Sequence, residues 1–225
     1  MRSKPLTRPE TFKDAAHQEI KKLLSAGRLS EGTFYSAVGF AEMLGVSRTP
    51  VREALLQLSA EGLLTAVDGR GFKVRRLTAK EISDFFETRR IVELYVIERV
   101  ARDISEEALD TSRRLIDRMS ASGQRGDAAE FLEADKAFHL QLIHSHGNRH
   151  LQSVMNNVRD LISMLGRNAI AEAGRFGAVV TEHTAVWEAL AARNTAGAVA
   201  AMRAHLEATE TILVEQLQRA SRVGS

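Results

Sequence analysis

Leu44-Gly45-Val46-Ser47-Arg48-Thr49-Pro50-Val51-Arg52-Glu53-Ala54-Leu55-Leu56-Gln57-Leu58-Ser59-Ala60-Glu61-Gly62-Leu63 reads as a turn, a capped start and a short amphipathic helix. Gly45 permits a tight turn after a preceding helix. Ser47 stands where an N-cap belongs, and Pro50 is tolerated in a first turn, where an N–H needs no intrahelical partner. Val51, Leu55 and Leu58 recur at helical spacing and predict the buried face. Arg48 and Arg52 share a different face, with Thr49 beside them. A helix N-terminus also favours phosphate. Two arginines and a threonine on the outer side of a short helix suit a DNA major groove. The plain alternative is a solvated charged face.

The flanks extend this reading. Phe12, Ala16, Ile20, Leu23 and Leu24 repeat at helical spacing over 11–26, and Gly27 stops that first helix. Leu29 to Tyr35 reads as a loop around Gly32, and 37–44 as a second helix with Val38, Ala41 and Leu44 inward. Met1 to Pro9 is polar, basic and proline-containing, and reads as an arm. Downstream, 63–67 and 72–75 read as strands joined by Asp68-Gly69-Arg70-Gly71, since Asp-Gly between two apolar runs is a hairpin signal. A helix, a helix-turn-helix and a hairpin make a winged helix. Its tip would carry Arg70 to a minor groove, unless Arg70 only decorates the turn. Lys73, Arg75 and Arg76 suit phosphates better than bases.

Composition sets the frame. A chain of 225 residues accommodates two small domains, expected at 1–77 and 78–225. Residues 1–77 hold 13 Lys and Arg against 8 Asp and Glu, whereas the remainder holds 18 against 21. A basic first third joined to a mildly acidic remainder fits a nucleic-acid module attached to a part with another task. No apolar run reaches the roughly 20 residues of a membrane span, and the basic N-terminus has no apolar core of a secretory signal. Cysteine is absent, which excludes disulfides and thiolate metal sites and fits a reducing cytoplasm.

From Thr78, which forms a capping-box pattern with Glu81, the sequence reads almost entirely as helix. The expected spans are 79–103, 105–121, 127–145, 149–171, 175–193 and 195–220, with a bend near Phe85–Phe86 as one option. Short breaks between long helices predict an all-α antiparallel bundle, so the expected chain is mainly α with one small hairpin. Asp135 and His139 are four apart and share one helix face, while His183 and His205 fall in the fifth and sixth bundle helices. Phe138, Leu142, Val186, Leu190, Met202 and Leu206 around them read as core. Three imidazoles and one carboxylate would suit zinc, nickel, manganese or iron, with positions left for water or a ligand carboxylate. Spacing alone leaves each histidine open as an ordinary core or surface residue. Arg89, Arg90, Arg159 and Asn168 are candidates to neutralise or orient a small acid, because arginine's planar fork matches a carboxylate. Glu182 reads as a surface residue or a neighbour of the site rather than a ligand. Trp187 either closes a cavity or packs in the core. His144, His146 and His150 crowd a helix end and read as largely exposed.

Gly45 to Leu55, followed by Glu61-Gly62-Leu63 and Gly69-Arg70-Gly71, closely resembles the winged helix of the GntR family of bacterial transcription regulators. Asp135-x-x-Phe138-His139, Gly147-Asn148-x-x-Leu151, Glu182-His183 and Met202-x-x-His205-Leu206 resemble its FadR subgroup, with an FCD-type ligand-binding domain. Arg89-x-x-Val92-Glu93 matches the same pattern. The resemblance implies operator contacts from Arg48 and Arg52, and a wing glycine that lets the tip lie in a minor groove. It also implies a divalent ion on Asp135, His139, His183 and His205, with zinc placed first. A homodimer, a small organic or sugar acid as effector, and repression as the mode of action follow from it too. Ala37 departs from the glutamate common in the family's second helix. Two alternatives keep the regulator, one with metal itself as the signal and one with metal as a purely structural element. A metal-dependent hydrolase is the enzymatic alternative. It lacks a clearly placed general base.

Overall fold

The computed structural model describes residues 11–172 and 174–223, with side chains described except at 164–172 and 220–223. The Met1 to Pro9 arm lies outside the described residues, as does the Asn168 side chain. The chain divides into two compact units between Arg76 and Leu77.

In the first unit the order is α1 (Phe12–Ser25), β1 (Phe34–Tyr35), α2 (Ala37–Leu44), α3 (Arg48–Ala60), β2 (Leu64–Val67) and β3 (Gly71–Val74). Thr11 and Asp14 close a reciprocal cap on α1, satisfying N–H groups that the first turn cannot use internally. α1 then lays Ala16, Ile20 and Leu24 against α3, whose Val51, Ala54, Leu55 and Leu58 are each 0% exposed. Burying one such leucine contributes about 1.5–3 kcal/mol, so this seam fixes how α3 is mounted. His17, also buried, reaches Glu61 at the end of α3 through a 2.8 Å contact. Gly45 ends α2 in the left-handed region (φ +66), which allows the tight turn into α3. Ser47 occupies the N-cap position of α3 but makes no side-chain cap bond.

Two expectations change here. The segment before α2 is not all loop, because Phe34 and Tyr35 pair antiparallel with Lys73 and Phe72. The sheet therefore has order β1-β3-β2. A two-residue strand carries no periodic signal. What permits it is Gly71 (φ +98), where a Cβ would stand 2.6 Å from the Tyr35 carbonyl oxygen. In α2, Val38 points outward and is 45% exposed, while Ala37, Phe40 and Ala41 turn inward. The inward stripe starts one residue earlier than expected, and Leu44 at its end is half-buried.

The second unit holds α4 (Ala79–Asp103), α5 (Glu106–Gln124), α6 (Ala128–His146), α7 (Arg149–Glu172), α8 (Phe176–Ala191) and α9 (Thr195–Val223). It is an all-α bundle. Thr78 and Glu81 form the expected capping box, and α4 runs as one helix past Phe85–Phe86. α9 packs on α4 and α8, and α6 on α5 and α7. Phe86, Phe131, Phe138, Leu190 and Leu206 are each 0% exposed within one continuous core. Among the described residues, no helix is long and apolar enough to cross a membrane.

Candidate functional site

On α3 the packing seam decides what faces outward. Arg48, Thr49 and Arg52 are exposed on the side away from Val51, Leu55 and Leu58. Arg70 occupies the turn between β2 and β3, and its guanidinium lies 4.9 Å from the Phe34 ring centroid. Lys73 of β3 brings its Nζ within 5.6 Å of the same ring. Arg75 and Arg76, expected at phosphates, each also have a protein partner. Arg75 donates to the Gly62 carbonyl at 3.2 Å, and Arg76 reaches the Glu31 carboxylate at 3.5 Å.

In the bundle, α6 supplies Asp135 and His139, α8 supplies His183 and α9 supplies His205. All four are buried, and one ligand atom from each lies within 4.8 Å of the others. Each imidazole is oriented from its outer side. The Nδ1 of His139 meets Glu93 at 2.5 Å, that of His183 meets the Val179 carbonyl at 2.8 Å, and that of His205 meets Glu182 at 2.9 Å. An acceptor on Nδ1 fixes the proton there and leaves Nε2 as the ligating atom. Inside, Nε2 of His183 stands 3.2 Å from both His139 Nε2 and Asp135 Oδ1. Zinc–nitrogen bonds of about 2.0–2.1 Å at tetrahedral angles place two donors about 3.4 Å apart, so the two 3.2 Å pairs already have that spacing and the widest pair, within 4.8 Å, draws in by up to about 1.4 Å. The donor chemistry therefore fits a divalent ion.

Two buried arginines flank the cluster. Arg159 donates to Asp135, and Arg89 bonds Glu93 at 2.7 Å with its Nη2 3.3 Å from His139 Nε2. Burial raises the Asp135 pKa, but the charge of Arg159 and the polar contact with His183 outweigh it and hold the carboxyl well below its usual range. Burial likewise works against ionised Glu93, and Arg89 with His139 overcomes it. Burial and Arg159 push His139 well below an ordinary histidine, and burial with neighbouring His183 lowers His205 to about 4. Neutral His139 and His205 beside an ionised carboxylate are in the protonation state metal ligation requires.

This has a pH consequence. Between about pH 6.5 and pH 4 the unfolded chain binds a proton at residue 205 that the folded chain refuses. Stability of the metal-free protein thus rises with pH across that window and is lost as pH falls through it. His205 alone contributes on the order of 3 kcal/mol over the full window, and His139 acts in the same direction. Urea unfolding of chelator-treated protein at pH 7.5, 5.5 and 4.5 checks this, and a flat profile from 7.5 to 5.5 contradicts it.

A cavity of about 50 Å³ adjoins the cluster, lined among others by Arg89, Asp135, Arg159, Arg175, His205 and Thr209. Arg159 Nε is buried there with no hydrogen-bond partner among the described residues. Arg89 and Arg159 are therefore brought to the site, and Arg90 is not. Arg90 follows Arg89 around α4 and pairs with Glu210 instead. Trp187 does not line the cavity. Its indole N–H donates to the Leu109 carbonyl at 3.0 Å, tying α8 to α5. His144 and His150 are exposed, and His146 is half-buried against Tyr95. Arg175 enters the site without having been singled out, and Glu93, which the sequence offers only as part of a motif with Arg89, holds His139. The Arg89–Glu93 pair did leave a signal, since it interrupts the apolar stripe Ile82, Phe86, Val96, Ile97 and Val100 of α4.

A winged helix is a DNA-binding architecture, and an all-α bundle follows it in the chain as a second part. Residues 12–74 match the bacterial regulatory proteins of the gntR family, and residues 84–208 match the FCD domain. The chain belongs to the GntR family and carries an FCD domain as its second part. Members are transcriptional regulators, not enzymes. The chain is 27% identical over 201 residues to the uncharacterized HTH-type transcriptional regulator YdhC of Bacillus subtilis (strain 168), covering 89% of this chain and 90% of that one. It is 29% identical over 144 residues to the gluconate operon transcriptional repressor of Bacillus licheniformis, covering 64% of this chain and 59% of that one. E. coli McbR/YncC shares the fold with a TM-score of 0.82 at 21% identity, over 92% of this chain and 98% of that one.

Proposed function

We propose that this chain is a FadR-type operator-binding repressor whose bundle holds a divalent metal, zinc first among candidates, and that occupancy of the centre sets its grip on DNA. In this reading residues 1–77 bind DNA through Arg48, Thr49, Arg52, Arg70 and Lys73. Residues 78–225 hold the metal on Asp135, His139, His183 and His205 and form a homodimer, whose symmetry matches two operator half-sites. One observation carries it: three buried imidazoles are held from behind by acceptors on Nδ1, with Nε2 turned inward toward Asp135. When bound, the ion supplies a positive centre that ties three helices together. Zinc ranks first because imidazole and carboxylate are both among its ordinary ligands, and a compact set of four suits its tetrahedral coordination.

A second reading adds a small carboxylate ligand as the signal. What favours it is charge. Arg89 and Arg159 line the cavity, and Arg159 Nε has no partner there among the described residues. An ion would add positive charge beside them, which an acid would offset. The likeness to a gluconate operon repressor agrees with an acid signal. Against it stands size, since about 50 Å³ holds only a few waters and an acid must enlarge the space.

Operator affinity separates these readings. A duplex selected from a random pool by the zinc-loaded protein is titrated with metal-free protein, zinc alone, gluconate alone, and both. A ligand changes DNA affinity only if it binds the DNA-competent and incompetent forms unequally. A zinc-dependent change of tenfold or more supports metal control, and a change needing both supports the acid reading. Equal affinity in all four states overturns occupancy control.

A further inference from the structure

Phe34 lies on the less buried side of the small sheet. It is 37% exposed on the edge strand β1, and its register partner is Lys73, which in turn pairs with Thr65. Phe72, Val74 and Leu64 take the buried side of the sheet. Phe34 shares the other side with two cations, Arg70 at 4.9 Å and Lys73 at 5.6 Å from its ring centroid. Both fall within the roughly 6 Å over which a ring face attracts a cation.

Geometry makes this contact useful rather than competitive. A ring occupies only the flat face of a guanidinium, and the N–H donors lie in its plane, free to meet a phosphate or base edge. An arginine on a turn tip otherwise loses much rotamer freedom when it docks, which weakens binding. The close approach at Gly71 is what lays β1 beside the wing and so puts the ring within reach.

We propose that Phe34 is a positioning residue for DNA recognition, its ring holding Arg70 and Lys73 as a preset basic pair for the backbone and minor groove of duplex DNA. The proposal rests on Arg70 and Lys73 being DNA contacts.

The test uses the full chain and the selected duplex. Phe34→Leu keeps an apolar side chain but removes the ring face, and Phe34→Tyr keeps the face. Phe34→Leu is expected to weaken binding about two- to fivefold per wing, with Phe34→Tyr close to the parent. In an Arg70→Ala/Lys73→Ala background, Phe34→Leu should have no further effect. The Arg70 Nε–H resonance of the free protein should also lose its ring-current shift in Phe34→Leu and keep it in Phe34→Tyr. Parent-like binding by Phe34→Leu overturns the proposal, as does an equal loss in the double-alanine background. If Arg70→Ala/Lys73→Ala itself binds like the parent, the DNA-contact reading of these residues fails instead.

Discussion

Zinc affinity of a His183→Ala variant is expected to fall a hundredfold or more, and with it the stabilisation that zinc gives the bundle. Structural zinc sites bind with roughly 10–16 kcal/mol of apparent free energy, so one ligand of four is worth about 3 kcal/mol. That corresponds to about a hundredfold in affinity. At zinc a thousandfold above its dissociation constant, the parent protein gains about 4 kcal/mol of stability, because the ion binds the folded chain alone. The same zinc level should give the variant little more than about 1 kcal/mol. Deleting the imidazole also removes the partner of Phe138, whose ring packs edge-on at 4.7 Å. The variant is therefore less stable even without metal, and the informative quantity is the difference between zinc-loaded and chelator-treated melts. Glu93→Gln probes the same centre from outside. It leaves every ligand in place and weakens the acceptor that orients His139, which should cost about ten- to a hundredfold in zinc affinity. A parent protein that melts identically with zinc and with chelator removes the metal from the account.

Such a centre is only half written in local sequence. Asp135 and His139 announce themselves, since a four-residue spacing puts both on one helix face. Nothing local says that His183 on α8 and His205 on α9 meet them, because convergence depends on how α6, α8 and α9 pack. Resemblance to a family joined them. The residues behind the imidazoles were harder still. Val179 contributes a backbone carbonyl, which any residue could supply. Glu93 stands in the motif shared with Arg89, but its role behind His139 shows only once α4 and α6 are seen against each other. Arg89 and Arg90 look alike in sequence, yet one lines the cavity and its neighbour pairs with Glu210, because successive helical residues point about 100° apart. The winged helix was more legible. Its signals are strong and short-range: a glycine turn, an apolar stripe, and Asp-Gly between strands. What escaped was β1, too short for any pattern, and the facing of Val38, which the packing of α2 decides.

The recognition helix yields the other large effect. Arg52 stands one turn beyond Arg48 on the exposed side of α3, whose opposite side is fully buried by Val51 and Leu55. An arginine paired to guanine through two hydrogen bonds contributes about 1–3 kcal/mol of discrimination per site. On the proposed dimer, two half-sites repeat that loss, so Arg52→Ala should cost about 2–6 kcal/mol, or roughly thirtyfold to twenty-thousandfold. The form of the loss matters more than its size. Base contacts carry sequence preference, while phosphate contacts carry salt dependence. Arg52→Ala should bring affinity for the selected duplex close to that for a scrambled one and leave the salt slope little changed. Lys73→Ala should weaken both duplexes alike and reduce the slope by about one per contact. Because Arg52 is exposed, its loss should leave both thermal stability and the response to zinc at parent levels. An Arg52→Ala protein that still separates selected from scrambled duplex as well as the parent does would move sequence reading elsewhere on the domain.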